Sequence, residues 1–262
     1  MNNLETLYKL AKPSKSFNVG IIGYGFVGQG VHASLNRDHI TTNVFDIKHG
    51  YNKVSFRNKG VVNECEIMFV CVNTPTNDYS ALRDVADNLL HVSYGGVVVV
   101  KSTVPFEVFE SIFSNTELRV VFCPEFLEQN SYIEDSQNID HIIIGGDYLY
   151  TKVVESLFKS VSSEYTFKHC TIKDAINFKF IRNIYGAYKV IFWEFVQETT
   201  GNSRLMADML KSMPQSELSI VGLDGEHGYG GACFPKDVAN FDTQYSHPLT
   251  GFLEEENERL KK

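Results

Sequence analysis

The chain has 262 residues, 43% of them hydrophobic and 21% charged, and a formal net charge of -8. This is the composition of an ordinary globular protein with room for a sizeable core and two domains. Its acidic balance argues against bulk nucleic-acid binding and against attraction to an anionic membrane surface. The five cysteines, Cys65, Cys71, Cys123, Cys170 and Cys233, are odd in number, widely spaced and without a CxxC pair. Neither a metal site nor a disulfide framework is expected from them, and reduced thiols in a cytoplasmic setting fit best. No apolar run approaches the roughly 18 residues that suggest a membrane span, so a soluble protein is expected.

Residues 1–16 read as a polar N-terminal tail. NVGIIG then predicts a first strand, followed by a glycine turn and a helix start. TTNVFDI (41–47) predicts a second strand, CEIMFVCVNTP (65–75) a third stopped by Thr-Pro, and VADNLLHV a helix. GGVVVVKSTVP (95–105) and LRVVFCPEF (118–126) predict further buried strands, and HIIIGG (141–146) is expected to close the series. Continuous apolar runs alternating with helical stretches point to an α/β, doubly wound parallel sheet of the Rossmann type over 17–170. From about 173 to 200 the chain reads as one long helix with no proline, too long for a crossover. It is taken to belong to a smaller all-helical domain over 171–262, with a polar helix in LTGFLEEENERLKK at its end.

Gly23-Tyr24-Gly25-Phe26-Val27-Gly28 is a GxGxxG between strand and helix. The first glycine permits the tight turn, the second lets backbone approach a pyrophosphate, and the third allows close helix packing. Asp46 lies eighteen residues beyond Gly28, at the end of the second strand, where a carboxylate can accept from a ribose hydroxyl. That acid also disfavours a 2′-phosphate, so the expected cofactor is NAD.

GYGGACFPKD (228–237) surrounds Cys233 with three glycines and hands it to Pro-Lys-Asp. A buried structural cysteine wants apolar neighbours. A nucleophile wants close approach by a substrate and groups that hold a thiolate. Cys233 is therefore the candidate nucleophile, and the other four cysteines are assigned to the core.

The set GYGFVG, Val72-Asn-Thr-Pro75, Lys101-Ser-Thr-Val-Pro105, Pro124-Glu-Phe-Leu127 and GYGGACFPKD resembles, in order and spacing, the UDP-glucose/GDP-mannose dehydrogenase family, over about residues 17 to 262. The resemblance implies oxidation of a nucleotide sugar's C6 alcohol to a carboxylate, with two hydrides passed to two NAD⁺ and Cys233 as the covalent nucleophile. It implies that Lys179 and Asn183, four apart on one helix, steady the oxyanion, and that Asp237 and Thr103 hold a catalytic water. Glu125 would be the base for thioester hydrolysis. Lys236, Thr74 and Thr103 would line the cofactor, and Phe126, Leu127 and Gly230 would contact the substrate. It further implies a homodimer through the helical domain.

Members of the family also carry a third domain beyond a long central helix, and LTGFLEEENERLKK resembles the start of that helix. The nucleotide half of the pocket is therefore expected to be missing or to be supplied by another chain. Glu217 stands where the family has an arginine across the dimer, Gln129 and Asn130 replace Glu-Gly after PEFL, and Trp193-Glu194-Phe195 replaces an aromatic followed by Asn-Glu. Lys189 matches a family lysine with a structural ion pair as its reading, and His227 has no assigned role. Two other readings stay open: a non-catalytic NAD-binding relic, and a single-step NAD-dependent alcohol dehydrogenase.

Overall fold

The computed structural model describes residues 16–48, 50–75, 77–127, 130–211 and 246–262. Seven strands form one sheet: β1 Phe17–Ile22, β2 Ile40–Phe45, β3 Ile67–Val70, β4 Val97–Val100, β5 Arg119–Phe122, β6 His141–Gly146 and β7 Thr166–Cys170. Their order is β2-β1-β3-β4-β5-β6-β7. β2, β1, β3, β4 and β5 run parallel, β6 runs antiparallel to β5, and β7 is parallel to β6.

Every residue of β3 and β4 is buried. Met68, Val70, Val98, Val100 and Phe122 enter one core cluster, while Ile67, Phe69, Val97, Val99 and Val121 enter a second. Side chains alternate across a strand, so both faces of the sheet are apolar and both are covered. That is why these segments read as unbroken apolar runs. The covering helices in the first part of the chain are α1 Phe26–Ser34, α2 Lys59–Glu64, α3 Ser80–His91, α4 Phe106–Phe113, α5 Tyr132–Asn138 and α6 Tyr148–Val161. In α3 the buried residues are Leu82, Val85, Ala86 and Leu89, the i, i+3, i+4, i+7 stripe of a helix lying on a sheet. Asp147 caps α6 by accepting from the Leu149 amide at 2.8 Å.

The expectation that HIIIGG closes the sheet is corrected by β7. Thr166, Lys168 and His169 of this edge strand are exposed, so it carries no apolar run that a sequence could show. Nor does an apolar run encode direction, which is why the antiparallel placement of β6 was not legible.

Glu155 of α6 joins this edge to the helix layer. It is 5% exposed and meets Lys152 at 2.7 Å, Lys159 at 2.6 Å and His169 of β7 at 2.7 Å. Burial alone would raise its pKa, but hydrogen bonds from Lys152, Lys159 and His169 outweigh it and bring the carboxyl from 4.5 down to about 2. A carboxylate held down in the folded state contributes stability above its unfolded pKa, and that contribution is lost as pH falls from 4.5 toward 2. Glu155→Gln is expected to cost about 2–3 kcal/mol at neutral pH. In urea melts run against pH, the gap from the unsubstituted protein should close below pH 4; a gap that stays constant to pH 2 would contradict the assignment.

The long helix α7 spans Ile172–Thr200, and it is followed by α8 Ser203–Lys211 and α9 Pro248–Leu260. The chain groups into two compact units, Met1–Arg182 and Asn183–Lys262, so the division falls inside α7. In the second unit His247 caps α9, accepting from the Leu249 amide at 3.1 Å, while its Nε2 reaches Glu198 at 3.0 Å. No helix among the described residues is long and apolar enough to cross a membrane.

Candidate active site

Four parallel strands deliver the residues singled out in the sequence to one edge of the sheet. β1 leads into the glycine turn, β3 into Val72-Asn-Thr-Pro75, β4 into Lys101-Ser-Thr, and β5 into Cys123-Pro-Glu-Phe-Leu127. β2 and β3 lie on opposite sides of β1, so the chain order reverses there and leaves a crevice at the strands' carboxyl ends, where ligands of open α/β sheets bind.

The glycines are required by contact. Gly23 has φ +88°, and a Cβ there would meet the Cys71 carbonyl oxygen at 2.7 Å. A Cβ on Gly28 would lie 2.0 Å from the Gly23 carbonyl oxygen, so α1 can rest on the turn only with glycine at that position. At Gly25 a Cβ would meet nothing within 4 Å: this backbone faces open space in front of the α1 N-terminus. A tight turn, an approachable backbone and unpaired amides of a first helical turn fit the pyrophosphate of a dinucleotide. Phe26 is half exposed and meets Tyr132 edge-on, while Val27 packs into the core.

Asp46 is 9% exposed and accepts backbone hydrogen bonds from Tyr24 at 2.5 Å and Lys48 at 2.8 Å. It therefore also fastens the glycine turn to the end of β2. Sequence reasoning missed the other clamps. Tyr24 OH pairs with His32 Nδ1 at 2.5 Å, and Gln29 donates to the Tyr24 carbonyl at 3.1 Å and accepts from Tyr132 OH at 2.9 Å. Tyr132 and Gln29 lie 103 positions apart, and no local pattern announces such a pair.

On the adjoining strands Thr74 Oγ1 donates to the Thr103 carbonyl at 2.6 Å, and Ser102 Oγ donates to the Val72 carbonyl at 2.7 Å. The two threonines named in the sequence thus stand side by side. Beyond β5, Lys179 Nζ of α7 donates to the Glu125 carbonyl at 2.5 Å and to Glu125 Oε1 at 2.9 Å. The Lys179 and Glu125 side chains are 8% and 13% exposed. Among the described residues, Glu125 Oε2 is the buried side-chain atom without a hydrogen-bond partner. Phe126 meets Phe178 edge-on at 5.7 Å and carries the Arg182 guanidinium 5.0 Å over its ring, a contact the sequence did not suggest. Leu127 lies against α1, 3.0 Å from where a Gly30 Cβ would sit.

Asn183 is an exposed residue of α7 in the second unit. Gly230, Cys233, Lys236 and Asp237 lie outside the described residues, as do Glu217, His227 and Gln129. The described cysteines bear on the nucleophile by contrast. Burial pushes the thiols of Cys65 and Cys71 up to about 12 and raises those of Cys123 and Cys170. None of the four is poised as a thiolate at neutral pH. Cys65, Cys71 and Cys123 are buried, and Cys170 is partly so.

Residues 48–162 match the model of the UDP-glucose/GDP-mannose dehydrogenase family, NAD binding domain. Over these residues the chain is similar to the NAD-binding domain of this family. NAD is accordingly its cofactor. Among relatives of the UDP-glucose/GDP-mannose dehydrogenases, the UDP-glucose 6-dehydrogenase of Rhizobium meliloti is 29% identical over 69% of this chain and 46% of its own length. That of Campylobacter jejuni is 29% identical over 74% of this chain and 53% of its own. The chain thus spans about half the length of these two relatives. A GDP-mannose dehydrogenase from Pseudomonas aeruginosa has a TM-score of 0.76 over 92% of this chain and 68% of that one, at 20% identity. An imine reductase from Myxococcus stipitatus in complex with NAD⁺ has a TM-score of 0.64 over 88% of this chain and 86% of that one, at 11% identity. These two likenesses show the fold.

Proposed function

We propose that the protein is an NAD-dependent dehydrogenase that oxidises the C6 alcohol of a nucleotide sugar, of the UDP-glucose type, to the carboxylate. The observation that carries the reading is the buried Lys179–Glu125 pair, with Glu125 on the loop after β5 and the bonded Thr74 and Thr103 on the loops after the neighbouring β3 and β4. NAD, when bound, supplies the hydride acceptor. The glycine turn and the α1 amides would hold its pyrophosphate and Asp46 its ribose, Thr74 and Thr103 would line its nicotinamide side, and Lys236 would lie on the cofactor side.

The Cys233 thiol adds to the C6 aldehyde left by the first oxidation. The thiohemiacetal then gives up a hydride and its hydroxyl proton to become a thioester, and water releases the carboxylate and restores the thiol. Lys179, with Asn183, stabilises the oxygen that bears developing negative charge. Glu125 takes a proton from the attacking water, which Thr103 and Asp237 orient; Phe126, Leu127 and Gly230 shape the sugar site. The exposed apolar residues Phe178 and Ile181 on α7 support assembly as a homodimer through the helical domain. The cysteines, reduced in this reading, suit a cytoplasmic enzyme.

The test is NADH release against a panel of nucleotide sugars, with Cys233→Ser alongside. Two NADH per sugar, lost in the variant, is the expected result. NAD binding without turnover of any sugar would favour a non-catalytic NAD-binding protein, the reading to which Glu217 at the family's arginine position lends weight.

A further inference from the structure

Lys101, the first residue after β4, is 7% exposed, yet among the described residues its ammonium group meets only neutral hydrogen-bond partners. Its Nζ donates to the Cys123 carbonyl at 3.0 Å and lies 3.7 Å from Cys123 Sγ. A cation so nearly buried needs a counter-charge or further hydrogen bonds, because desolvating it is costly. Two residues past Cys123, Glu125 has the complementary need: Lys179 takes Oε1, and among the described residues Oε2 is buried without a partner. Lys101 and Glu125 both line a cavity of about 30 Å³, together with Cys123, Ser34 and Ser136. A water needs roughly 10–15 Å³ of such volume and two to four polar partners. Ser34 Oγ donates to the Val31 carbonyl at 2.9 Å and Ser136 Oγ to the Ile133 carbonyl at 2.7 Å, so each hydroxyl keeps its oxygen lone pairs for a further donor.

We propose that one structural water occupies this cavity, accepting from Lys101 and donating to Glu125 Oε2 and to a serine hydroxyl, and that Lys101 is thereby a positioning residue for Glu125. Both oxygens of the carboxylate are then held, Oε1 directly by Lys179 and Oε2 through the water. The carboxylate is kept in one orientation, with a cation behind each oxygen. The significance of this for hydrolysis rests on the base role proposed for Glu125; the water link itself does not.

The first test is a high-resolution crystal structure of the full, unsubstituted chain. A water within hydrogen-bond distance of both Lys101 Nζ and Glu125 Oε2 is expected; a dry cavity, or a water on only one of the two, overturns the link. The second test compares Lys101→Met with Glu125→Gln by intact mass during turnover. Lys101→Met should accumulate acyl-enzyme and lower kcat by ~10-fold with KM within about twofold, the pattern of a misplaced base rather than of lost binding. Acyl-enzyme in Glu125→Gln but none in Lys101→Met sinks the positioning role. Acyl-enzyme in neither refutes the base role of Glu125 and the hydrolytic part of the proposal with it, and the crystallographic water still decides the link.

Discussion

Gly28→Ala is expected to weaken NAD binding by ~100-fold or more and to destabilise the fold by about 1–3 kcal/mol. The added Cβ would lie 2.0 Å from the Gly23 carbonyl oxygen, where ordinary contact begins at 3.4 Å. The clashing atom is backbone, so no side-chain rotation relieves it. Helix α1 would have to lift from the β1 turn, and the turn cannot yield in its place: Gly23 is pinned by the hydrogen bond its amide donates to the Phe45 carbonyl and by the Cys71 backbone on its other side. The lift separates the first-turn amides from the glycine turn, and those are the two halves of the proposed phosphate cradle. Gly25→Ala is the control. Its Cβ meets nothing within 4 Å, so melting temperature should hardly move, while the methyl fills the space of the proposed backbone contact with the dinucleotide. Calorimetric NAD titration and thermal melts of the pair separate the two effects. Gly28→Ala binding NAD within threefold of the unsubstituted protein would show that this packing does not set the cradle.

What was legible in the sequence shares one physical character: it is local. β3 and β4 announce themselves because both faces of a central strand are buried, which forces the runs IMFV and VVVV. The glycine turn announces itself because backbone contacts at Gly23 and Gly28, within six residues, forbid a side chain at either. β7 is silent because an edge strand answers to solvent as much as to the core. Lys101 is silent for another reason: a lysine after VVVV reads as the point where a strand meets water, whereas the fold turns it inward to Cys123, 22 residues away. Lys179 and Glu125 are 54 residues apart, and only the family resemblance joined them; nothing in DAINFKFIRN distinguishes a buried lysine from a solvated one. Asp46 was read as a ribose ligand from its position alone, and its bond to the Tyr24 amide shows a structural duty to the turn that the sequence did not suggest.

Lys179→Met should destabilise the protein by about 3–5 kcal/mol, and adding Glu125→Gln should recover most of that loss. In the folded protein the lysine side chain is 8% exposed and the glutamate 13%, so each stands close to its unpaired cost if the other is removed. Removing the ammonium deletes the 2.9 Å bond to Oε1 and the 2.5 Å bond to the Glu125 carbonyl, and it leaves a carboxylate with no direct cationic contact. A neutral glutamine in its place carries no such charge, so the double variant should unfold within about 1–2 kcal/mol of the unsubstituted chain. Turnover should not follow stability. Both singles and the double lack a group required by the proposed chemistry, so the double variant should be folded and inactive. Chemical denaturation of the four proteins supplies the cycle, and a coupling energy near zero, with the two losses simply adding, would mean that the pair is not a desolvated unit. A double variant that regains turnover along with stability would instead assign the pair to the scaffold and move the chemistry to other residues.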